Sequence, residues 1–511
     1  MKHLAQLADS MATERSVTPP KKRFSGIVVS WSLLLCSTGF ARNIYVATTG
    51  SDSSAGTMVS PFATIAKAAA SSAPGDSIVI RGGTYKLSPQ IDPKSGTSES
   101  ARITYKSYPG EAVLVDGGAG YCFSLAHKSH ITFDGLKFTT SDTAVGAGMF
   151  YFENTNHIAF HDCEFFGMPA ERGAENTSVI RCMASGWPDT ARIENSDSCV
   201  FRNNYFHGNA SPVFRLYDTK GWVIENNKFV NCLQAVGGKE EPYDLLVRRN
   251  LIIGGDLAFY FPLQGGGNGV TITENVIVGT DNGFTIGGLG TYGHKRLNVN
   301  VYNNTFYNAR IWLNGWNEPQ FDSAIKFWNN IVYSDFAANI PPGAEVSARF
   351  ISMYLLPMNP SLYSIDYDDY SMPTDDRSRW FFDGGESFNG LSTWTAGRPS
   401  FDAHSVSANP LFSSVADSNF HLQAGSPCKG KGKAGEDLGA YPRGNDGTVI
   451  GLLTNIPTDV RGYGHGRQSA SDRRRILGTA SYGVNGRQIG TAIHRSAVYQ
   501  ADGESKVAPR H

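Results

Sequence analysis

Hydrophobic residues recur along the middle of the chain in short segments of similar pattern. Eight ten-residue segments align, from ITFDGLKFTT at Ile131 to IKFWNNIVYS at Ile325, and their first, third and eighth positions are largely apolar. The first and third positions follow the period of two expected for a strand with one buried face. The segments begin at Ile131, Ile158, Cys199, Trp222, Leu245, Val270, Val299 and Ile325. The pattern predicts short strands that share one core.

The sixth position of the last six segments is always asparagine. These asparagines are Asn204, Asn227, Asn250, Asn275, Asn304 and Asn330. Asparagine tolerates turn conformations, and stacked amides can hydrogen-bond each other or the backbone. The column therefore predicts an asparagine ladder at one corner, and the tenth position, rich in Gly and Asn, marks the next corner.

A repeat of this length cannot bury its apolar face alone and must stack on its neighbours. The expected fold is an all-β solenoid of parallel strands, clearest over residues 131–334. The pattern resembles the right-handed parallel β-helix proteins of the pectate-lyase-like architecture over roughly residues 42–448. A β-propeller is the alternative, but its repeats are longer and lack an asparagine ladder.

The ends of the solenoid require covering elements. The stretch SPFATIAKAAASSAPGD from Ser60 predicts an N-terminal capping helix over about residues 61–73, with Pro61 at its first position. After Ser334 the period is lost, and we expect an irregular Asp- and Tyr-rich insert over about 335–405. Residues 406–445 are then expected to form closing turns, and residues 449–511 a disordered tail.

The first 41 residues have the layout of a secretory signal. Lys21, Lys22 and Arg23 precede an apolar run from Gly26 to Phe40, and small residues end the segment. We expect a signal peptide over residues 1–41, no membrane span after its removal, and a location outside the cell, in the periplasm or at the cell surface. A buried core strand is the alternative for this run.

The charge of the body limits its partners. Residues 42–448 carry 31 Lys and Arg against 40 Asp and Glu, a net charge of −9. Such a body argues against nucleic acid as a partner. An anionic polymer would need a local basic cluster or a bridging cation. The cysteines show no metal-type spacing, so we expect most of them to be buried apolar residues.

Two terminal segments resemble a known group of secreted enzymes. The stretch IYVATTGSDSSAGT from Ile44 looks like the start of the family-nine pectate lyases, and ANPLF with FHLQAGSPC looks like the final turns of secreted β-helix proteins. Lyases of this kind remove the C5 proton of a uronic acid with a Lys or Arg, often beside calcium. The family's Asp-rich stretch followed by lysine has no clear match in the repeats.

A second strand follows each Gly- or Asn-rich corner, and its outward residues should line up on successive turns. Lys239 is the candidate base and Arg215 the candidate partner of a uronate carboxylate, since a guanidinium fork fits a carboxylate. A solvated loop is the alternative interpretation of Lys239 and its neighbours. The predicted sugar-binding residues are Tyr217, Tyr260, Trp312 and Trp316, and the predicted calcium ligands are Glu240, Glu241 and Asp244.

These residues predict an exported, monomeric polysaccharide lyase that cleaves an acidic polymer of the pectate or alginate type by β-elimination. One alternative is a β-helix glycoside hydrolase, which needs two carboxylates about 5–9 Å apart. A noncatalytic glycan-binding surface protein of the adhesin type is the other.

Overall fold

Most turns that the structure describes add one short strand to each of three sheets of parallel strands. The computed structural model describes residues 41–118, 120–141, 148–167, 180–182, 196–209, 212–240, 242–261, 267–280, 282–286, 297–313, 325–335, 353–355, 363–372, 380–383, 386–444 and 450. The predicted signal peptide and, apart from residue 450, the predicted tail lie outside these ranges. The predicted parallel β-helix is confirmed.

The strands stack in three columns. The first sheet contains Asn43–Val46, Ser77–Ile80, Ile103–Ser107, Ser129–Asp134, Thr155–His161, Val200–Arg202, Val223–Glu225, Leu246–Arg248, Gly267–Thr273, Leu297–Tyr302, Ile325–Trp328 and Tyr363–Asp366, with Ser196–Asp197 and Thr219–Lys220 beside them. The second sheet contains Gly83–Lys86, Val113–Asp116, Lys137–Thr139, Glu164–Phe166, Tyr205–His207, Lys228–Val230, Leu251–Ile253, Val276–Val278, Thr305–Tyr307, Ile331–Tyr333 and Asp369–Ser371.

The third sheet completes each turn. It contains Phe123–Ser124, Phe150–Phe152, Ile180–Cys182, Pro212–Tyr217, Gln234–Glu240, Leu257–Phe261, Asn282–Ile286, Arg310–Leu313, Met353–Leu355 and Phe381–Asp383, and ends in the antiparallel strand Glu386–Phe388. Short helices span Ile65–Ser71, Glu99–Ala101 and Leu391–Gly397. Within the described residues, no helix is long and apolar enough to cross a membrane.

The apolar columns of the repeat form the core between the sheets. Phe133, Phe160 and Phe201 occupy the third position on successive turns and are fully buried. Their rings stack, with centroids 4.7 Å and 4.8 Å apart. Side chains in register on neighbouring parallel strands can stack in this way because the strands are about 4.8 Å apart. The same chemical type therefore repeats at the same position.

The asparagine ladder forms as predicted. Each asparagine from Asn204 to Asn304 donates its Nδ2 hydrogen to Oδ1 of the next, at 2.9–3.1 Å. All six are fully buried. The preceding residue is left-handed on each turn, as at Asn203 with a φ of 57° and Asn226 with 56°, which turns the chain between the first and second sheets.

An ion-pair ladder lies on the outer face of the first sheet. Glu225 accepts from Arg202 at 2.6 Å and from Arg248 at 2.7 Å, so one carboxylate joins three successive turns. Five of the cysteines are described in full, and they are free and buried. The ion pairs and the buried cysteines stabilise the stack of turns. We therefore expect a functional site on another face of the solenoid.

The N-terminal helix begins later than expected. It spans Ile65–Ser71, and Thr64 is its N-cap, whose hydroxyl accepts from the Lys67 amide at 3.1 Å. Asp52 accepts from the Thr64 amide and hydroxyl and so fixes the cap. Pro61 precedes the helix, which corrects its predicted place, because the side chain that satisfies the first free amides is Thr64.

The stretch predicted as an irregular insert contains another copy of the repeat. YSIDYDDYSM from Tyr363 places Tyr363 and Ile365 in the first and third columns and pairs with Ile325–Trp328. Asp368 replaces asparagine and accepts from Asn330 Nδ2 at 3.0 Å. The expectation of an insert over 335–405 is wrong for this part, because an aspartate in the ladder column hid the repeat.

Residues 406–444 differ from the predicted closing turns. Val406 makes an isolated parallel bridge with Asp369, but Phe412–Ser414 and Asn419–Leu422 then pair antiparallel. This hairpin packs on the outer face of the second sheet, where Phe420 meets Tyr307 with ring centroids 5.4 Å apart. The apolar residues of this segment cover a face of the second sheet and do not add further turns to the stack.

Candidate functional site

The outer face of the third sheet brings an arginine and several aromatic side chains into one column. Its strands alternate: Phe214 and Phe259 point to the core, while the residues that follow them, Arg215 and Tyr260, face outward. The strand register defines one outward column, called here the arginine–aromatic column. By strand register the column runs through Ser124, Tyr151, Arg181, Arg215, Gly237, Tyr260, Thr285, Trp312, Tyr354 and Phe382, of which Arg181, Tyr354 and Phe382 are placed by their backbones alone.

Three of the predicted site residues lie in this column. Arg215 and Tyr260 are two turns apart with Gly237 between them, and Tyr260 and Trp312 are two turns apart with Thr285 between them. At about 4.8 Å per turn, these positions span about 19 Å. A polymer lying along the solenoid axis would therefore contact all three.

Tyr260 is the most open of these side chains. Its exposed fraction is 36%. Partial burial of the hydroxyl raises its pKa, and the positive charge of Arg215 opposes that rise. The phenol keeps its proton at neutral pH and can donate a hydrogen bond to a sugar oxygen.

Lys239 occupies an irregular position beside the column. Leu216 pairs with Gly238, whereas Tyr217 pairs with Glu240, so Lys239 is the extra residue of a β-bulge. Bulges bend a strand and re-aim its side chains, and they are frequent next to active sites. The backbone of Lys239 is thus placed within a strand, and its side chain lies outside the described part.

The other predicted site residues are placed less completely. Tyr217 follows Arg215 by two residues on the same strand, and the exposed Asp244 lies just before Leu246–Arg248. Glu241 and Trp316 lie outside the described residues, as does the side chain of Glu240. The calcium ligand set of Glu240, Glu241 and Asp244 therefore stays a prediction.

Sequence reasoning missed several members of the column, among them Tyr151, Arg181 and Tyr354. Tyr151 lies in register with Ser124 and Arg181, and its hydroxyl donates to Glu153 at 2.7 Å. Arg181 and Tyr354 are placed by their backbones alone. The available sequence signal was the alternation of residues in the segments FYF, at 150–152, and IRC, at 180–182. Both segments precede the second strands that the repeat pattern made recognisable.

Fold and site together define a class: a parallel β-helix with an outward column of arginine and aromatic residues. A family model described as "Pel9A-like, right handed beta helix region" matches residues 44–339. This is more than half of the 511 residues, and the chain belongs to that family.

Similar proteins match shorter stretches. The uncharacterized protein YwoF of Bacillus subtilis (strain 168) is 32% identical over 136 residues, which cover 24% of this chain and 29% of that protein. Pectate lyase PEL9 of Emericella nidulans is 42% identical over 78 residues, which cover 15% of this chain and 19% of the enzyme. The matched stretches thus span less than a third of either relative.

Among solved structures, the GH136 lacto-N-biosidase from Eubacterium ramulus is similar with a TM-score of 0.49 and 10% identity. The match covers 68% of this chain and 66% of that one.

Proposed function

We propose that the protein is a polysaccharide lyase that cleaves a uronic-acid polymer of the pectate or alginate type by β-elimination. The observation that carries the proposal is the register of Arg215, Tyr260 and Trp312 in one outward column, with the bulged Lys239 beside it. Membership of the Pel9A-like family and the similarity to a pectate lyase support the same class of reaction.

Each residue has a defined part in this reaction. Lys239, in its neutral form, takes the proton from C5 of the uronate, the bond between C4 and the glycosidic oxygen breaks, and a C4–C5 double bond forms. Arg215 pairs with the uronate carboxylate. The departing oxygen takes a proton from solvent water, and the protonated hydroxyl of Tyr260 hydrogen-bonds that oxygen or a neighbouring sugar. Trp312 stacks on a sugar ring.

Calcium is part of the proposal. The body of the protein is acidic, with a net charge of −9 over residues 42–448, so an anionic substrate needs added positive charge. Oxygen ligands from Glu240, Glu241 and Asp244 would suit calcium, which would supply that charge beside the uronate. The proposed export by the N-terminal segment would bring the enzyme to polymers outside the cytoplasm.

A lyase is favoured over a glycoside hydrolase by the composition of the column. Hydrolysis requires two carboxylates about 5–9 Å apart. Among the side chains of the arginine–aromatic column that the structure describes there is no carboxylate, whereas one arginine and three aromatics are present. A sugar-binding protein without catalysis would use the same surface and release no product.

The test is an assay of the purified protein on pectate and alginate, with calcium and with a chelator, followed by the ultraviolet absorbance of the unsaturated product. Lys239→Ala is expected to lower the rate by about 10²–10⁴-fold, because it removes the general base. Lys326→Ala is the matched control, since Lys326 is exposed on the first sheet. It is expected to keep full activity.

Three results would overturn different parts of the proposal. If neutral glycans release reducing sugar while uronates give no unsaturated product, the protein is a hydrolase. If Lys239→Ala retains full activity, the base is another residue even though the reaction is correct. Binding of a uronate without any product would identify a glycan-binding protein.

A further inference from the structure

A second cluster of chemically active side chains lies at the N-terminal end of the first sheet. Glu99 belongs to the short helix Glu99–Ala101, which leads into the strand Ile103–Ser107. His130 and His157 lie on the next two strands of that sheet. These three residues, called here the Glu99 cluster, come from three successive turns.

The strand register places the two histidines side by side. Ser129 pairs with Asn156 and Ile131 with Ile158, so His130 and His157 are directly adjacent. Their rings stack with centroids 4.5 Å apart and planes 9° apart. Both residues have left-handed backbones, with φ of 54° and 52°. The ring pair is thus built by the repeat.

The ligand atoms of the Glu99 cluster lie within 4.8 Å of one another. His157 Nδ1 is 2.9 Å from Glu99 Oε1, and His130 Nε2 is 3.9 Å from the same oxygen. A tetrahedral zinc ion with bonds of about 2.0–2.1 Å holds its ligand atoms roughly 3.3 Å apart. The observed distances bracket that value, and among the described residues this is the group with metal-ligand spacing.

We propose that Glu99, His130 and His157 bind one divalent transition-metal ion of the zinc class. Two imidazole nitrogens and one carboxylate oxygen suit zinc, cobalt or nickel, whereas calcium takes oxygen ligands. The site is therefore distinct from the calcium ligands proposed for catalysis, and it does not depend on that proposal. Three protein ligands leave the fourth position to water.

Arg102 shapes the site and limits its affinity. Its Nη1 donates to both oxygens of Glu99 at 3.1 Å and 3.0 Å, which fixes the carboxylate. Its Nη2 donates to the carbonyl of His157 at 2.6 Å and so holds the backbone of that histidine. The positive charge of Arg102 opposes a second cation nearby, and we expect moderate affinity.

The histidines can adopt the binding arrangement. Because the rings are parallel, one must rotate about its Cβ–Cγ bond to share an ion. The His157 side chain is 40% exposed and has room for this, and that torsion is soft.

The bound ion would join three turns of the solenoid. A metal that binds only the folded chain stabilises it by mass action. Since Glu99 precedes the strand that pairs with the His130 strand, the ion would tie a loop to the stack near its N-terminal end. The role of the ion is thus structural.

The test is titration of the full-length, metal-free protein with Co²⁺, followed by visible ligand-field absorption and competition with Zn²⁺. The wild-type chain is expected to bind one ion. His130→Ala and His157→Ala are expected to weaken binding at least about tenfold, and Glu99→Gln to weaken it less. His127→Ala is the matched control, because His127 is exposed and outside the cluster.

Thermal unfolding with and without Zn²⁺ provides the second readout. Zinc is expected to raise the midpoint temperature of unfolding of the wild type and of His127→Ala. The midpoint temperatures of His130→Ala and His157→Ala are expected to stay unchanged. His157→Gln replaces His157→Ala if the alanine variant does not fold. Absence of Co²⁺ binding by the wild type, or equal binding by the histidine variants, would overturn the proposal.

Discussion

At the scale of the residue, the adjacent glycines of the sequence VGGKEE meet two different neighbours. A Cβ on Gly237 would lie 2.0 Å from Gln234 Nε2, and a Cβ on Gly238 would lie 2.8 Å from the Phe261 ring. Gln234 uses the space over Gly237 to donate to the Phe214 carbonyl at 3.2 Å. The glycines thus let the strand pass between a buried amide and the core just before the Lys239 bulge.

Asn250 provides a test of the buried ladder. Asn250→Ala is expected to lower the free energy of unfolding by about 3–5 kcal/mol, because it removes several buried hydrogen bonds and leaves their partners unpaired. Its Oδ1 accepts from Asn227 Nδ2 at 3.0 Å, and its Nδ2 donates to Asn275 Oδ1 at 2.9 Å. Urea unfolding measures the change.

Asn300 is the control for this substitution. It lies on the outer face of the first sheet and is half-buried. Asn300→Ala is expected to change the free energy of unfolding by less than about 0.5 kcal/mol. Equal effects of the two substitutions would mean that the ladder adds no stability beyond that of a surface amide.

At the scale of the element, the hairpin of Phe412–Ser414 and Asn419–Leu422 protects the second sheet. The outward residues Leu251, Val276 and Ile331 are apolar and buried, although they point away from the core of the solenoid. Without the hairpin these apolar side chains, with Thr305 between Val276 and Ile331, would be exposed on one face, which favours association. The hairpin therefore covers an apolar outer face of the second sheet.

Phe420 anchors the hairpin. Phe420→Ala is expected to destabilise the protein by about 3 kcal/mol and to speed proteolysis within residues 406–444, because the side chain is 1% exposed and packs on Tyr307. Leu411→Ala is the control, since Leu411 is 38% exposed. If both variants resist protease like the wild type, Phe420 does not hold the hairpin in place.

At the scale of the whole molecule, buried carboxyl groups gather at the C-terminal end of the stack. Burial raises the pKa of Asp402 to about 6 and that of Asp369 to about 7. Burial raises the pKa of Asp368 as well, and the charge of Asp402 adds to the effect. An aspartate in an unfolded chain has a pKa of about 3.9. The folded protein therefore keeps these protons at pH values where the unfolded chain loses them.

The stability of the protein is expected to fall as the pH rises through this window. Stability that is present below about pH 4 is lost as the pH passes the folded-state pKa values. Asp402→Asn is expected to reduce the pH-dependent change in the free energy of unfolding by about 2 kcal/mol. The amide needs no proton, and its oxygen can still accept a hydrogen bond from Trp394. Urea unfolding at several pH values measures this.

The control for the pH dependence is Asp417→Asn, an exposed position expected to leave the curve of stability against pH unchanged. A curve for Asp402→Asn as steep as that of the wild type would contradict the assignment of this dependence to Asp402.

At lower pH an opposite effect appears, because hydrogen bonds from Arg81 hold the pKa of Glu111 at about 2. The stability from Glu111 is present above about pH 4.3 and is lost as the pH falls.

The repeat alone was sufficient to predict the solenoid. Columns such as Phe133 and Phe160, and the ladder that contains Asn250, follow from period and residue type, because stacked parallel strands bring equal positions of each repeat together. The outward placement of Arg215, Tyr260 and Trp312 followed from the same rule. Local pattern decides these features, since each turn contacts only its neighbours.

Only the tertiary structure decided the rest. The Lys239 bulge, the approach of Glu99 to His130 and His157, and the hairpin over the second sheet depend on register and on contacts between distant segments. The histidines stand directly before the first column in HITF and HIAF, but their approach to Glu99 requires the strands to be stacked. The period of the repeat predicts where a residue lies along its strand. The distances between side chains are fixed only when the turns stack on one another and the loops pack against them.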